Sequence, residues 1–323
     1  MKWIAGVSVV AAVVFALATI TIPAQTIVPD QAVLKLFPAE TQGVAFVDLA
    51  GLRNSPLGVE VMAQGAPWVP QVPKLQDFVA ATGFNFREDV DRVTVGRLDA
   101  RRAMFVIQGR YDKFKVERYL ADHVTRLDTY MGRSIYEDRD IDFGVTFIDD
   151  LVIAGYTDAV KKAVEQASLP ASSIALRSDL LGVIRTFEAG SQVWAAGEFH
   201  FDELPVAQLP PQAAGAGPIL GILRTLEGGT YQMRVDTNIH AKATANFTSV
   251  ENAKTLADLS RGMIALVKTQ VATQNPDLLH ALDGLQVSNS GTQMVVNIDE
   301  PGDLVKKLRE LRQSRGLRRR NGD

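Results

Sequence analysis

The sequence predicts an α+β protein built of antiparallel sheets with helices packed on one face. Hairpin patterns followed by amphipathic helices recur along the chain, and the hairpin strands alternate polar and apolar residues, as in QMRVDTN and AKATANF. Such alternation gives a strand one buried face and one solvent-exposed face. We therefore expect repeated β-hairpin–helix units in two related halves, preceded by an N-terminal transmembrane or signal helix.

The N-terminal segment has the character of a membrane helix. Ile4 to Ile22 is almost wholly apolar, and after Lys2 no charge appears until Asp30. A helix over this run reaches about 28 Å, close to the roughly 30 Å of a bilayer's hydrocarbon core. Lys2 favours an N-terminus inside and a body outside. We predict a transmembrane anchor at 1–29, with a cleaved signal peptide or a buried core helix as the alternatives.

The first half of the body opens on a strand, Gly43 to Leu49. Two short helices, LGVEVMAQ and KLQDFVAATG, are predicted to follow. The first hairpin–helix unit joins Asp91–Leu98 to Arg102–Tyr111 before the helix KFKVERYLADHV. The second unit contains SIYED, DFGVTFIDD and LVIAGYT, with a tight turn at Asp149-Asp150, and ends in the helix DAVKKAVEQA.

The second half is expected to follow the same order. It opens on the strand SQVWAAGEF, and its third unit pairs Thr230–Asn238 with HAKATANFT before a long helix that Ser249 is predicted to cap. The fourth unit turns at 289–291 and leads into DLVKKLRELRQSR. A linker-like SLPASS separates the halves. The predicted boundaries are 1–29 for the anchor or signal, 30–37 for a tether, 38–170 and 171–313 for the two halves, and 314–323 for a basic disordered tail.

Composition excludes several classes of function. The 323 residues carry a net charge of −3, from 34 basic and 37 acidic side chains, so no general attraction for nucleic acid is expected. The absence of cysteine excludes disulfides, thiolate zinc sites and a cysteine nucleophile. The four histidines form no i, i+4 pair: His123, His200, His240 and His280. We predict no catalytic residue, no cofactor-binding residue, no metal ligand and no cofactor.

Two acidic patterns were weighed as metal sites. In EFHFDE, strand alternation places Glu198, His200 and Asp202 on one face, but neighbouring side chains on that face lie about 7 Å apart, too far for one ion to bind all three. An exposed polar strand end is therefore favoured.

The second pattern, EDRDIDFGVTFIDD, resembles the start of a calcium loop through Asp138, Asp140 and Asp142. Phe143 stands where such a loop needs glycine, and Asp149 stands where it needs a bidentate glutamate. A solvated acidic strand edge is the favoured interpretation.

Three further segments have weaker signals. The glycines of Gly215–Gly221 have the wrong spacing for a dinucleotide fingerprint. The uncharged segment 204–221 suits a loop that covers a groove, touches a membrane or a partner, or packs on its own domain. The basic tail suits contact with anionic lipid or simple solvation. Asn246 begins a glycosylation sequon in form only, at a predicted strand end.

Several stretches together resemble a class of uncharacterised exported bacterial envelope proteins. They are the apolar N-terminal segment, FPAETQGVAFVDLAGLRNSPL, EDVDRVTVGRLDARRAMFVIQGRYD and FIDDLVIAGYTDAVKKAVEQA. The likeness covers about residues 1–170 and lies in turns and strands, so it carries over no site residue. It implies a bacterial envelope setting.

The expected function is non-enzymatic binding or scaffolding in the bacterial cell envelope. We expect a single-pass membrane protein with its body outside the cytoplasm, or a secreted protein after signal cleavage. The expected partners are the membrane, through the N-terminal segment, and another envelope protein. The alternatives are small-molecule or lipid binding in a groove between the halves, and a metal-dependent enzyme that uses Glu198, His200 and Asp202 or carboxylates near Asp140.

Overall fold

The computed structural model describes residues 31–57, 73–99, 102–168, 178–198, 221–272, 276–304 and 307. It confirms the α+β class with extensive antiparallel pairing of strands. The chain divides into two compact units, Met1–Gly197 and Glu198–Asp323. This division lies later than the boundary at 170/171 that the linker-like segment predicted.

The first unit is an antiparallel sheet with strand order β8-β1-β2-β3-β7-β6-β5-β4. Its strands are β1 (Gly43–Asp48), β2 (Val90–Arg97), β3 (Ala103–Gly109), β4 (Arg126–Tyr130), β5 (Arg133–Asp138), β6 (Phe143–Ile148), β7 (Leu151–Tyr156) and β8 (Val193–Glu198). Its described helices are α1 (Gln31–Leu34), α2 (Leu49–Arg53), α3 (Pro73–Thr82), α4 (Phe86–Asp89), α5 (Lys113–His123), α6 (Thr157–Ser168) and α7 (Ser178–Ile184).

The strand β8 explains why the units divide after residue 197. The sequence placed this strand at the start of the second half, but in the structure it pairs antiparallel with β1, so that Phe46 lies opposite Trp194. Their rings stack with centroids 5.5 Å apart, and both side chains are buried. The two strands lie about 150 residues apart in the sequence, so local sequence patterns do not reveal that they pair.

Tight turns join neighbouring strands of this sheet. The predicted turn at Asp149-Asp150 is confirmed, because Ile148 pairs with Leu151 and Asp149 has a φ of 54°. The sequence did not predict β4, which pairs with β5 through a turn at Met131 and Gly132, whose φ values are 47° and 79°. Glycine adopts this left-handed conformation without steric cost.

The prediction of helices on one face is wrong for the first unit. One core cluster joins α1, α6 and α7 to sheet residues that include Ile135, Ile148 and Ile153. A second cluster packs Val116 of α5 against Tyr136 and Phe147. Successive strand residues point to opposite faces, so adjacent members of the two clusters show that both faces of the sheet are covered.

The second unit is an antiparallel sheet of order β11-β12-β10-β9. Its described elements are β9 (Leu226–Val235), β10 (Asn238–Phe247), α8 (Val250–Val271), α9 (Pro276–Asp283), β11 (Leu285–Ser290) and β12 (Gln293–Pro301). The β9–β10 hairpin leads directly into α8, as predicted. The β11–β12 turn contains residues 291 and 292, slightly later than predicted, because Ser290 pairs with Gln293.

Several predicted segments lie outside the described residues. They are the anchor or signal at 1–29, most of the helix LGVEVMAQ, most of the linker-like SLPASS, most of the loop at 204–221, most of the helix DLVKKLRELRQSR, and the basic tail at 314–323. Across the ranges that the structure describes, no helix combines the length and the hydropathy needed to cross a bilayer.

Candidate docking surface

The helix α8 has a well-defined start. Ser249 has an extended backbone and caps the helix, since the backbone N–H of Asn252 donates to Ser249 Oγ at 3.2 Å. The Asn252 side chain in turn donates to Thr225 Oγ1 at 3.0 Å. The predicted cap is thus confirmed, and it fixes the first turn of the helix to the segment that precedes β9.

The inner face of α8 packs on the sheet of the second unit. Ala253 and Ala257 are completely buried, and their small side chains let the helix approach the strands closely. Ala253 joins Leu226 and Phe247 in a core cluster, with Leu256 and other partly buried residues packed against it. Burial of this inner face attaches the helix to the sheet.

Polar contacts fix the middle and the C-terminal end of α8. Arg261 Nη1 donates to the backbone oxygen of Val287 in β11 at 3.1 Å. Lys268 Nζ donates to Asp283 Oδ1 at 2.7 Å, which ties the helix to the end of α9. Both contacts are exposed to solvent, so we expect them to orient the helix more than to stabilise it.

A second apolar stripe runs along the outside of α8. The outer stripe is defined here as Thr255, Leu259, Gly262, Met263 and Leu266, which together with Asp258 line an open depression of about 460 Å³. At 100° per residue these positions fall on one side of the helix, away from Ala253 and Ala257. Leu259, Met263 and Leu266 are 40%, 61% and 60% exposed.

An amphipathic helix is expected to be apolar along one stripe only, and α8 departs from this expectation. The signal was present in Met263–Val267, five residues of which four are large and apolar. Such a run occupies every side of a helix and cannot be buried by a sheet on one side. A contiguous exposed apolar surface on a folded protein is typical of an interaction site.

The charges beside the outer stripe pair with one another. Asp258 accepts from Lys254 Nζ at 2.9 Å and also pairs with Arg261. These two cations hold the pKa of Asp258 below its usual range, and the same contact raises the pKa of Lys254. These side chains therefore form a network of opposite charges rather than a surface of one sign.

Of the candidate metal ligands, the structure describes Glu198, Asp138, Asp140 and Asp142. Glu198 is the exposed last residue of β8, while His200 and Asp202 lie outside the described residues. Asp138 ends β5, and Asp140 and Asp142 lie in the loop before β6, where the Asp140 N–H donates to Asp138 Oδ1 at 3.2 Å. Within the described ranges, no three His, Asp or Glu side chains are placed to hold a metal ion.

The described histidines have separate surroundings. The His123 ring stacks on Tyr119 with centroids 3.9 Å apart. His240 Nδ1 lies 3.1 Å from Asp299 Oδ1, and its Nε2 lies 3.7 Å from Asp236 Oδ1. His280 is on α9.

Asn246 of the sequon pairs within the β10–β12 ladder, so its backbone belongs to a strand, as the sequence predicted.

Two buried carboxylates lie outside the outer stripe. Glu137 on β5 has a side chain only 5% exposed and pairs with Lys161 of α6 at 2.9 Å. Glu300 on β12 is 8% exposed, and its Oε2 has no hydrogen-bond partner among the residues that the structure describes. Burial, together with Asp299 and Asp283, raises the pKa of Glu300 to about 7.

Comparison with known proteins assigns no family to the chain. No protein-family model matches it, and no curated protein matches it. Among solved structures, crystal form I of TP0453 is similar with a TM-score of 0.46 and 9% identity, covering 84% of this chain and 94% of that chain. Crystal form III of TP0453 has a TM-score of 0.46 and 8% identity, covering 84% of this chain and 95% of that chain. Crystal form IV has a TM-score of 0.45 and 9% identity, covering 85% of this chain and 95% of that chain. At these scores the likeness is a distant one and assigns neither a fold family nor a function.

Proposed function

We propose that this chain is a non-enzymatic docking protein of the bacterial cell envelope, held at the membrane by residues 1–29 with its body outside the cytoplasm. The observation that carries the proposal is the outer stripe of α8, whose three large side chains are 40% to 61% exposed. Covering them would remove apolar surface from water at about 25 cal/mol per Å², so a bound partner is favoured over bare solvent.

Two features support a docking role over chemistry at this surface. The outer stripe consists of aliphatic side chains, one glycine and one threonine, none of which titrates near neutral pH. The charges beside it are engaged with one another, as Asp258 is with Lys254 and Arg261. Such a surface offers apolar contact area, and the one carboxylate that lines it, Asp258, is held in ion pairs.

We further infer that the two halves share an origin. The β2–β3 hairpin precedes α5, β6–β7 precedes α6, and β9–β10 precedes α8. This common order supports a duplicated hairpin–helix plan.

The docking role is tested by the accessibility of the stripe in membranes. The chain has no cysteine, so Met263→Cys introduces a single thiol. Its control is Phe114→Cys on α5, a position that is 72% exposed. In membranes that contain the full-length protein, we expect a maleimide to label residue 263 several-fold more slowly than residue 114. After dilution in detergent the two rates should become similar. Equal rates before and after dispersal would refute the docking role.

The location is tested separately. Intact mass should show a full-length chain in the membrane fraction, and protease added from outside should digest the body. A soluble chain shortened by the N-terminal segment would exclude the anchor and leave a secreted protein.

A further inference from the structure

We propose that the corner between α9 and β11, at Gly284, is a pH-sensitive latch that opens reversibly when the buried carboxyl group of Glu300 loses its proton. Such a latch is independent of the docking role. Three observations support it: the burial of Glu300 without a partner for one of its oxygens, its direct contact with the corner, and the weak packing of the segment that the corner holds in place.

Glu300 lies on the face of β12 that the helices cover. It is six residues from Met294, which packs against the core cluster of Ala253, so both side chains point to the same side of the sheet. Its neighbour on β10 is the apolar Ile239. Glu300 is 8% exposed, and within the described part of the chain its Oε2 has no hydrogen-bond partner. A neutral carboxyl group is tolerated in such a place far better than a carboxylate.

The corner at Gly284 lies directly against this carboxyl group. A Cβ on Gly284 would overlap both Glu300 Oε1 and the backbone oxygen of Asp299, so only glycine leaves room here. The Asp299 N–H donates to the backbone oxygen of Gly284 at 3.0 Å. Because the corner and the carboxyl group are in contact, a new charge on Glu300 reaches water most directly when the corner moves away.

The charged groups that act on Glu300 are acidic. Burial first, and then Asp299 of β12 and Asp283 at the end of α9, raise the pKa of Glu300 to about 7. The cations nearby are engaged by these two neighbours: His240 Nδ1 of β10 lies 3.1 Å from Asp299 Oδ1, and Lys268 of α8 donates to Asp283 at 2.7 Å. Loss of the Glu300 proton therefore places a third carboxylate at the corner.

The segment 276–290, which contains α9 and β11, is the part of the second unit most able to move. Neither of these two fully described elements contains a buried residue. Their polar contacts with α8, through Lys268 and Arg261, are exposed and contribute little to stability. By contrast, β10 pairs on both sides and buries Ala241 and Phe247. Regions with few buried apolar contacts open at the lowest free energy, so segment 276–290 should open while β9, β10 and β12 stay paired.

The direction of the pH dependence follows from the raised pKa. The closed corner favours protonated Glu300, whose ordinary pKa is 4.5 and whose pKa in the folded chain is about 7. This stabilisation is complete below pH 4.5 and is lost as the pH rises to about 7, so opening increases over that range and then levels off. Opening would release β11 and uncover the edge of β12, where another strand could pair.

Hydrogen exchange of the full-length protein in detergent, measured by mass spectrometry, tests the latch. The wild-type chain is compared with Glu300→Gln at the same pH, so the intrinsic exchange rates cancel. At about pH 8.5, segment 276–290 should exchange at least about tenfold faster in the wild-type chain, since the raised pKa would allow more than about 100-fold before solvent screening. At about pH 4.5 the two chains should agree within about twofold. The control is Glu227→Gln, an exposed position on β9 that should match the wild-type chain at both pH values.

The remaining outcomes decide against the latch in different ways. Equal exchange of segment 276–290 in wild-type and Glu300→Gln chains at pH 8.5 would overturn it. An equal acceleration in residues 226–247 would replace local opening with a loosening of the whole unit.

Asp299→Asn provides a second test if Glu300→Gln fails to fold. It removes an acidic neighbour, so the rise in exchange of segment 276–290 should shift to lower pH, and an unshifted rise would refute the role of the carboxyl groups. None of these results changes the maleimide reactivity expected at residue 263, so the latch and the docking role fail separately.

Discussion

Lys161 on α6 lies over Glu137 on β5, with Nζ 2.9 Å from Oε1 of a carboxylate whose side chain is only 5% exposed. The same ammonium group reaches Asp128 of β4 at 3.3 Å. Contact with Glu137 is the main cause of the raised pKa of Lys161. One cation on a helix therefore pairs with carboxylates on two neighbouring strands at the edge of the first unit's sheet.

Replacement of Lys161 by methionine is expected to destabilise the first unit. Glu137 would keep its buried charge without its main partner, because Arg139 is 3.9 Å away and exposed. We expect the free energy of unfolding to fall by about 2–4 kcal/mol in urea denaturation. The double variant Lys161→Met with Glu137→Gln should lose clearly less, since the unpaired charge is then removed. Equal losses in the single and double variants would show that the ion pair is not the cause.

Glu300→Gln is expected to stabilise the second unit at neutral and alkaline pH. The pKa of Glu300 is about 7 in the folded chain, above the ordinary value of 4.5, because of burial and the nearby Asp299 and Asp283. The folded state thus favours the protonated form. This contribution is complete below pH 4.5 and is lost as the pH rises to about 7. The glutamine variant should gain about 1–2 kcal/mol at pH 8 and nearly nothing at pH 4, measured by denaturant titration. A gain that does not vary with pH would contradict this explanation.

Trp194→Ala is expected to be among the more damaging changes in the chain. The indole stacks on Phe46 and is 2% exposed, so its loss leaves a large cavity between β8 and the helices that cover it. We expect a loss of about 3–5 kcal/mol in the free energy of unfolding. Phe114→Ala removes a ring that is 72% exposed and should change stability by less than about 0.5 kcal/mol. Similar losses in both variants would place the indole outside the core.

Two glycine substitutions should have opposite effects. Gly155 in β7 has a φ of 150°, and an added Cβ would lie 2.6 Å from the backbone oxygen of Ala103. Gly155→Ala should therefore cost at least about 2 kcal/mol. Gly182 lies in α7, and apart from its chain neighbours and the backbone of its own helix no described atom lies within 4 Å of the position of an added Cβ. Gly182→Ala should leave stability unchanged or raise it by up to about 1 kcal/mol in thermal unfolding. Equal effects would exclude backbone conformation as the cause.

Local features were predictable from the sequence, and distant pairings were not. The turn at Asp149-Asp150 and the cap at Ser249 depend on residues close in sequence, and both are confirmed. The pairing of β8 with β1 depends on partners far apart, so no local pattern indicated it. The strand β4 was missed because RLDTY is largely exposed and lacks a clear apolar alternation.

The docking surface was missed for a related reason. Periodicity identified α8 as an amphipathic helix, but a hydrophobic pattern does not distinguish an inner stripe from an outer one until the covering elements are known. Tyr136 and Phe147 likewise mark β5 and β6 as apolar strands. The helix that covers these two side chains is α5, which comes from an earlier part of the chain.

The antiparallel pairing of β1 with β8 also sets an order in which the first unit can form. During synthesis β1 can pair with β2 soon after residue 97 emerges, but its other edge stays open until residues 193–198 have been made. Closing such a long loop is entropically costly and slow, and an open strand edge is a template for pairing with another chain. The strands of the second unit pair mainly through short-range hairpins. Refolding of the first unit should therefore be the slower step, and nascent chains that end before residue 193 should be the most prone to aggregate.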